Sequence, residues 1–267
     1  LFIRAKDSVR FRTSKNFRDY LQTVGRNVLI VTKDTGNFRD YLVDNIKDAG
    51  FNPRVAAAPD EAFKFVFESD IQVYCIVIDS TVGDHETRMI CNRVKMDKTE
   101  NILSIIRVKQ EGDEGKQDLL EILPDETVFE PFQIDDLMSK VTEEVNRIAD
   151  ERGYFSQQVR MRVPTLVNEV EKTYDIMEDF FKLSNLEEEQ TDELTHVYRE
   201  AVGNAMNHGN GMDPEKNIFI ELVVDNRNLS FSIEDEGEGF DYSPFIKRAE
   251  ESSALDVARA RNKLDNP

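Results

Sequence analysis

The chain has 267 residues, 39% of them apolar, and its 53 acidic side chains against 34 basic ones give a net charge of −19 and a pI near 4.6. That length fits one large domain or two ordinary ones, each able to bury a core. The negative charge repels phosphate backbones and anionic headgroups, which excludes nucleic acid and membrane surfaces as the main partner.

Residues 1–23 run against the overall charge, with Arg4, Lys6, Arg10, Arg12, Lys15 and Arg18 set against only Asp7 and Asp19. The stretch has no apolar run long enough for a signal peptide or a membrane span. It is expected to add an extra strand and a short helix to the domain that follows, and its basic side chains suit a docking arm for an acidic partner. Residues 1–25 are therefore set off as a basic extension. The sequence begins at Leu1 and ends at Pro267, and it is read as part of a longer protein.

From Arg26 short apolar runs alternate with amphipathic stretches. Residues 27–32 form a short β-branched run of the buried-strand type. A helix follows over 38–49, with Tyr41, Leu42, Ile46 and Ala49 at helical spacing, and Gly50 ends it as a residue free to take positive φ. Residues 53–57 read as a weak second strand, and Pro59 opens the next helix, where a missing N–H costs nothing. Residues 73–78 are the strongest strand. A helix over 86–96, a strand over 102–107, a helix over 116–122, a strand over 127–129 and a long helix from Ile134 complete the pattern. Strands alternating with helices imply right-handed crossovers and a parallel sheet covered on both faces. Residues 26–133 are therefore expected to be a flavodoxin-like, doubly wound α/β domain.

The helix from Ile134 carries Leu137, Val141, Val145 and Ile148 as one stripe. Part of it is expected to pack on the first domain and the rest, to residue 157, to lead into a coiled-coil-like linker or dimer contact. From residue 158 the character changes to α+β. A strand over 159–163 precedes helices over 164–183 and 186–208, and alternating strands over 218–224 and 229–234 flank the turn Asp225-Asn226-Arg227-Asn228.

Two patterns in this second half carry chemistry. In Glu200-Ala201-Val202-Gly203-Asn204-Ala205-Met206-Asn207-His208-Gly209, Glu200 and Asn204 lie one helical turn apart, beside the apolar stripe Leu194, Val197, Ala201 and Ala205. An Asn side-chain oxygen suits a Mg²⁺ that also holds phosphates, and a Glu can take a proton from an attacking hydroxyl. In Glu234-Asp235-Glu236-Gly237-Glu238-Gly239-Phe240, Asp235 stands at a strand end, where its carboxylate can accept a hydrogen bond from an exocyclic amine. Gly237 and Gly239 let backbone approach a flat base.

Together these stretches resemble the N box and first glycine box of the GHKL ATPase superfamily, most of all the anti-sigma-factor serine kinases, over residues 158–241. The resemblance implies an ATP site with Mg²⁺ on Asn204, adenine on Asp235, and His208, Gly237 and Gly239 around the nucleotide. It implies Glu200 as the general base for a serine or threonine of an antagonist domain, with release to a second partner such as a sigma factor, and it suggests a homodimer. A second glycine box is not visible. Residues 242–265 are charged and helix-prone and read as a lid cut short. The alternative is a scaffold that sequesters a partner without phosphorylating it. Residues 134–183 contain no histidine, which argues against a self-contained histidine kinase.

The first half resembles response-regulator receiver domains, on Ile78-Asp79 at the end of the third strand and Glu130-Pro131-Phe132 after the last. Asp79 falls at the phosphoacceptor position. The usual acid pair is replaced by Thr32 and Lys33, with Asp34 the nearest acid; Glu130 stands where a lysine is expected, and Arg107 or Val108 replaces the small hydroxyl residue. Glu130 repels a phosphate that lysine attracts. The domain is therefore expected to be a pseudo-receiver, an interaction or dimerisation module in which Lys33 pairs with Asp79 and stands in for the metal charge.

The two cysteines, Cys75 and Cys91, have no C-x-x-C spacing, and the three histidines (His85, His196, His208) show no H-E-x-x-H pattern. Both thiols are read as reduced, in a cytoplasmic protein without structural zinc.

Overall fold

The computed structural model describes residues 25–97, 102–112, 119–152, 154–184, 186–225 and 228–239. The expected N-terminal strand and helix, and the expected lid over 242–265, lie outside the described residues.

The first half is built on β1 (Asn27–Val31), α1 (Asn37–Asp48), β2 (Asn52–Ala56), α2 (Pro59–Phe63), β3 (Val73–Ile78), α3 (Asp84–Lys95), β4 (Ser104–Gln110), β5 (Glu121–Ile122), β6 (Glu126–Glu130) and α4 (Ile134–Glu151). The strands β2-β1-β3-β4-β6 form one sheet in that order, all parallel, which is the flavodoxin-like order. Every residue of β1 and β3 is buried, because a central parallel strand is covered on both faces and needs no polar side. Val28, Ile30, Cys75 and Val77 point to the α1–α4 side, and Leu29, Val31, Ile76 and Ile78 to the α2–α3 side. Gly50, at φ 85°, closes α1 in the left-handed region.

The stripe Leu137–Val141–Val145–Ile148 of α4 is buried along its whole length in the core it shares with β3 and β4. Each such side chain contributes about 1.5–3 kcal/mol of apolar burial. Its apolar face is therefore spent inside this half, and the expected continuation into a coiled coil does not occur through this stripe.

The second half comprises β7 (Phe155–Pro164), α5 (Val167–Leu183), α6 (Glu188–Asn204), a π-helical turn (Ala205–Gly209), β8 (Asn217–Asp225) and β9 (Leu229–Asp235). β7, β8 and β9 pair antiparallel. Alternate residues Val159, Met161 and Val163 of β7 and Ile218, Ile220 and Leu222 of β8 are buried with Val170, Met177, Phe181, Leu194 and Val202 of the helices. One covered face and one polar face give the period-two pattern of a two-layer α+β unit. Tyr174, Phe181, Tyr198 and Phe231 interlock at ring-centroid distances of 5.5–6.2 Å where α5 and α6 cross β9.

A helix expected in the first half is also overturned. Glu121 and Ile122, assigned to a helix over 116–122, form the two-residue strand β5, and it belongs to the other half: the second sheet runs β5-β7-β8-β9. Where a crossover helix is expected between β4 and β6, the described end of the connection pairs with β7.

Candidate functional site

Helix α6 starts with a capping box between Glu187 and Gln190 and runs to Asn204. Glu200 and Asn204 are exposed on it, one turn apart. At Ala205 the helix widens, and Asn210 donates its backbone N–H to the Ala205 carbonyl at 2.8 Å, five residues back. Such π-turns displace the following backbone and are frequent at functional sites. Here the turn leaves His208 exposed and carries Gly209 against the end of β9.

The contact at Gly209 is close. A Cβ on that residue would lie 2.2–2.4 Å from the carboxylate atoms of Asp235, so the carboxylate rests on a bare α-carbon. A Cβ on Gly237 would lie 2.3 Å from the Gly209 carbonyl oxygen. The Gly237 N–H donates to Asp235 Oδ1 at 2.9 Å, which fixes the carboxylate by a local turn.

Asn210, only 2% exposed, ties the parts together. Its Nδ2 donates to Thr165 Oγ1 at 2.8 Å and to the Asn217 carbonyl at 2.9 Å, and its Oδ1 accepts the Glu236 N–H at 2.8 Å. Thr165 in turn donates its hydroxyl to the Lys216 carbonyl at 2.8 Å. One amide thus joins the end of β7, the start of β8 and the turn after β9. Sequence reading missed Asn210 and Thr165. The signal available was the small-residue run Gly209-Asn210-Gly211 after an amphipathic helix, which is turn chemistry rather than helix continuation.

Of the expected nucleotide residues, Asp235 and Gly237 are brought together at the π-turn. Glu200 and Asn204 lie on the helix leading into it, and Gly239, at φ 71°, follows in the same loop. The Gly209 and Gly237 positions are filled by the Asp235 carboxylate and the Gly209 carbonyl, while a Cβ on Gly239 would meet nothing within 4 Å. The residue types suit a nucleotide with Mg²⁺, with a carboxylate held at the strand end, an open glycine in the loop after it, and an amide and a carboxylate on the adjoining helix.

The first half has its own acid pocket at the carboxyl ends of the strands. Asp79, 2% exposed, accepts hydrogen bonds on Oδ2 from Thr32 Oγ1 and Thr81 Oγ1, each at 2.7 Å. Those hydroxyls accept in turn from the backbone N–H groups of Asp34 and Lys33, each at 3.0 Å. Ser80 Oγ donates to Glu130 Oε1 at 2.8 Å. The expected Lys33–Asp79 pair is not formed. Lys33 Nζ binds Glu86 Oε2 at 2.5 Å, which pulls the Glu86 carboxyl below its usual range, while hydroxyls occupy Asp79. Asp34 accepts the Gly36 and Arg39 N–H groups at the start of α1, and these bonds lower its pKa. It is committed to that turn. Arg107, nearly buried on β4, pairs with Asp84, whose carboxyl it holds below the ordinary value.

Among the described residues no helix is long and apolar enough to cross a membrane, and no group of three or more His, Cys, Asp or Glu side chains could hold a metal ion. No curated protein sequence matches the chain. Among solved structures, the signal receiver domain of an HD domain-containing protein from Pseudomonas fluorescens aligns at 11% identity. It covers 48% of this chain and 93% of that one, with a TM-score of 0.39. A CheY-like response regulator receiver domain protein from Methanospirillum hungatei aligns at 18% identity over 47% of this chain and 98% of that one, with a TM-score of 0.37. Residues 163–262 match the histidine kinase-like ATPase domain family, so the segment holding Asn210, Asp235 and the π-turn is similar to that domain, and it follows the flavodoxin-like half.

Proposed function

We propose that the chain is an ATP-dependent signalling protein whose second half phosphorylates a serine or threonine of a small antagonist-type partner in the cytoplasm, and frees a further partner such as a sigma factor in doing so. The packing of the Asp235 carboxylate against Gly209 and Gly237, clamped by Asn210, carries this reading. ATP would supply the phosphoryl group, and Mg²⁺ would neutralise phosphate charge. Asp235 would accept from the adenine amine, Gly237 lets the Gly209 carbonyl approach, and Gly239, with open space at its Cβ position, would leave room for the base. Asn204 would offer the metal a neutral oxygen, and His208, exposed on the same turn, would lie by the nucleotide. Glu200, exposed on α6, takes the proton of the attacking hydroxyl, a role worth about 10²–10⁴ in rate.

Calorimetry with Mg²⁺-ATP tests the site. Micromolar binding that needs Mg²⁺ and disappears in Asp235→Asn is expected, and no binding by the folded full-length protein would move the reading to an ATP-free scaffold. Glu200→Ala should bind ATP normally and lose phosphotransfer; if it keeps phosphotransfer, Glu200 is not the base.

The first half is proposed to act as a pseudo-receiver and as a platform for partner or self-association. Two threonine hydroxyls already occupy one oxygen of Asp79, Glu130 adds like charge nearby, and Lys33 is engaged with Glu86. Incubation with a small phosphodonor and Mg²⁺ is expected to leave the protein unmodified. A stoichiometric acid-labile phosphate, lost in Asp79→Asn, would show that the acid pocket still works.

A further inference from the structure

The connection from β4 to β6 crosses from one sheet to the other and back. β5 pairs with β7, Glu121 opposite Arg162 and Ile122 opposite Met161. On one side of it the Leu123 N–H donates to the Arg160 carbonyl at 2.8 Å. On the other the Leu120 N–H donates to Glu169 Oε2 at 2.9 Å. Glu121, 6% exposed, takes an ion pair from Arg162 at 2.5 Å.

Glu169 lies in the first turn of α5, where a carboxylate is favoured by the helix dipole, yet it is only 1% exposed. Its other oxygen accepts from Lys172 Nζ at 2.6 Å and Asn168 Nδ2 at 3.0 Å. A carboxylate so deeply covered needs every lone-pair direction engaged, and one of its partners is a backbone amide from the receiver-like half.

The seam extends beyond the strand. Ile122, Ile90, Cys91 and Val94 belong to the same continuous apolar core as Met161, Val163 and Met177. At its far end Lys95 of α3 pairs with Asp125 at 2.6 Å, and Arg147 of α4 joins Glu144 and Glu151 to Gln158 of β7. Arg152 donates to the Val73 and Ile102 carbonyls, anchoring the start of β7 to the first sheet.

We propose that residues 119–123 are a latch: by adding a strand to β7 and an amide to Glu169, they make the two halves one cooperative unit and position the α5–α6 helix pair that carries Glu200 and Asn204. Glu169 is the positioning residue of this latch. The receiver-like half then acts on the second half by holding or releasing a strand, without phosphate on Asp79. The control of nucleotide binding rests on the ATP reading above; the latch itself does not.

Hydrogen exchange on the full chain, with thermal unfolding followed by two probes, tests it. In the wild type the Leu120 and Leu123 amides should be as protected as those of the β7–β8 ladder, and both probes should report one transition. Glu169→Ala should speed exchange at both amides at least tenfold and split the unfolding into two steps. Glu169→Gln, whose amide oxygen still accepts from Leu120, should restore most of the protection. If Glu169→Ala does not fold, Leu120→Pro removes the same donor with Glu169–Lys172 intact and should give the same faster exchange at Leu123 and the same two-step unfolding. Unprotected Leu120 and Leu123 in the wild type, or unchanged exchange and a single transition in the folded variant, overturns the latch. ATP titration separates the two claims. An affinity shift of at least fivefold in Glu169→Ala supports control of the site; an unchanged affinity with an opened strand overturns that control. Absence of ATP binding in the wild type fails the nucleotide reading and leaves the exchange result standing.

Discussion

Asn210→Ala is expected to lower the stability of the protein by about 2–4 kcal/mol, the range for breaking a buried hydrogen-bonded network. The substitution removes two donors and one acceptor at once. Thr165 Oγ1 and the Asn217 carbonyl each lose a donated hydrogen bond, and the Glu236 N–H loses its acceptor. The orphaned N–H is the costliest, because a backbone donor has one proton and no second use for it. Asn210→Asp keeps the shape and the acceptor but loses both donated bonds and buries a charge, so it should be at least as damaging. Urea unfolding measures both. A loss below 1 kcal/mol in each would mean that water replaces the amide and that Asn210 is not the clamp. If stability falls while the helices survive, damage should concentrate where the clamp acts, at the turn after β9 and the residues that follow His208.

How much of this was legible in the sequence depended on where each element gets its stability. β1 and β3 announced themselves because a strand buried on both faces is apolar along nearly all its length, Asn27 excepted, and their β-branched Val and Ile content and short length favour a strand over a buried helix segment. Gly50 and Pro59 marked a helix end and a helix start through backbone chemistry that is local by nature. β5 could not be read that way. Its surroundings, Leu119-Leu120-Glu121-Ile122, have good helix propensity, and the strand exists only because β7 offers an edge and Glu169 an acceptor. Tertiary pairing overrode propensity there.

The candidate site divides along the same line. Glu200, Asn204, Asp235, Gly237 and Gly239 stood out as types at suggestive spacing, and spacing along one helix or one turn survives folding. The π-turn that brings Gly209 to Asp235 left only the run Gly209-Asn210-Gly211 as a trace, because helix widening comes from packing rather than composition. Lys33 was misjudged for an electrostatic reason. The sequence places a cation at the end of the first strand, beside the strand that ends at Asp79, but does not show that Thr32 and Thr81 already donate to that carboxylate while Glu86 lies within reach of Lys33.

Gly209→Ala is expected to separate the site from the fold most sharply. The Gly209 backbone needs no left-handed conformation, so alanine costs nothing in φ/ψ, and the whole effect comes from the methyl group. That methyl would sit 2.2–2.4 Å from the Asp235 carboxylate, well inside van der Waals contact. Either the carboxylate swings away, breaking its 2.9 Å bond from the Gly237 N–H, or the π-turn shifts and strains the Asn210 clamp. Overpacking of this kind costs about 1–3 kcal/mol. On the nucleotide reading the displaced carboxylate should also cost at least tenfold in ATP affinity, about 1.4 kcal/mol or more. Gly203→Ala is the matched control. It lies on α6 between Glu200 and Asn204, and a Cβ there meets nothing within 4 Å. Filling a helical glycine should raise stability by about 0.5–1 kcal/mol. Calorimetry and denaturant melts on the pair decide the matter. If Gly209→Ala binds ATP as the wild type does, the Asp235 carboxylate is not the adenine contact, and the close packing at Gly209 serves only to join the π-turn to β9.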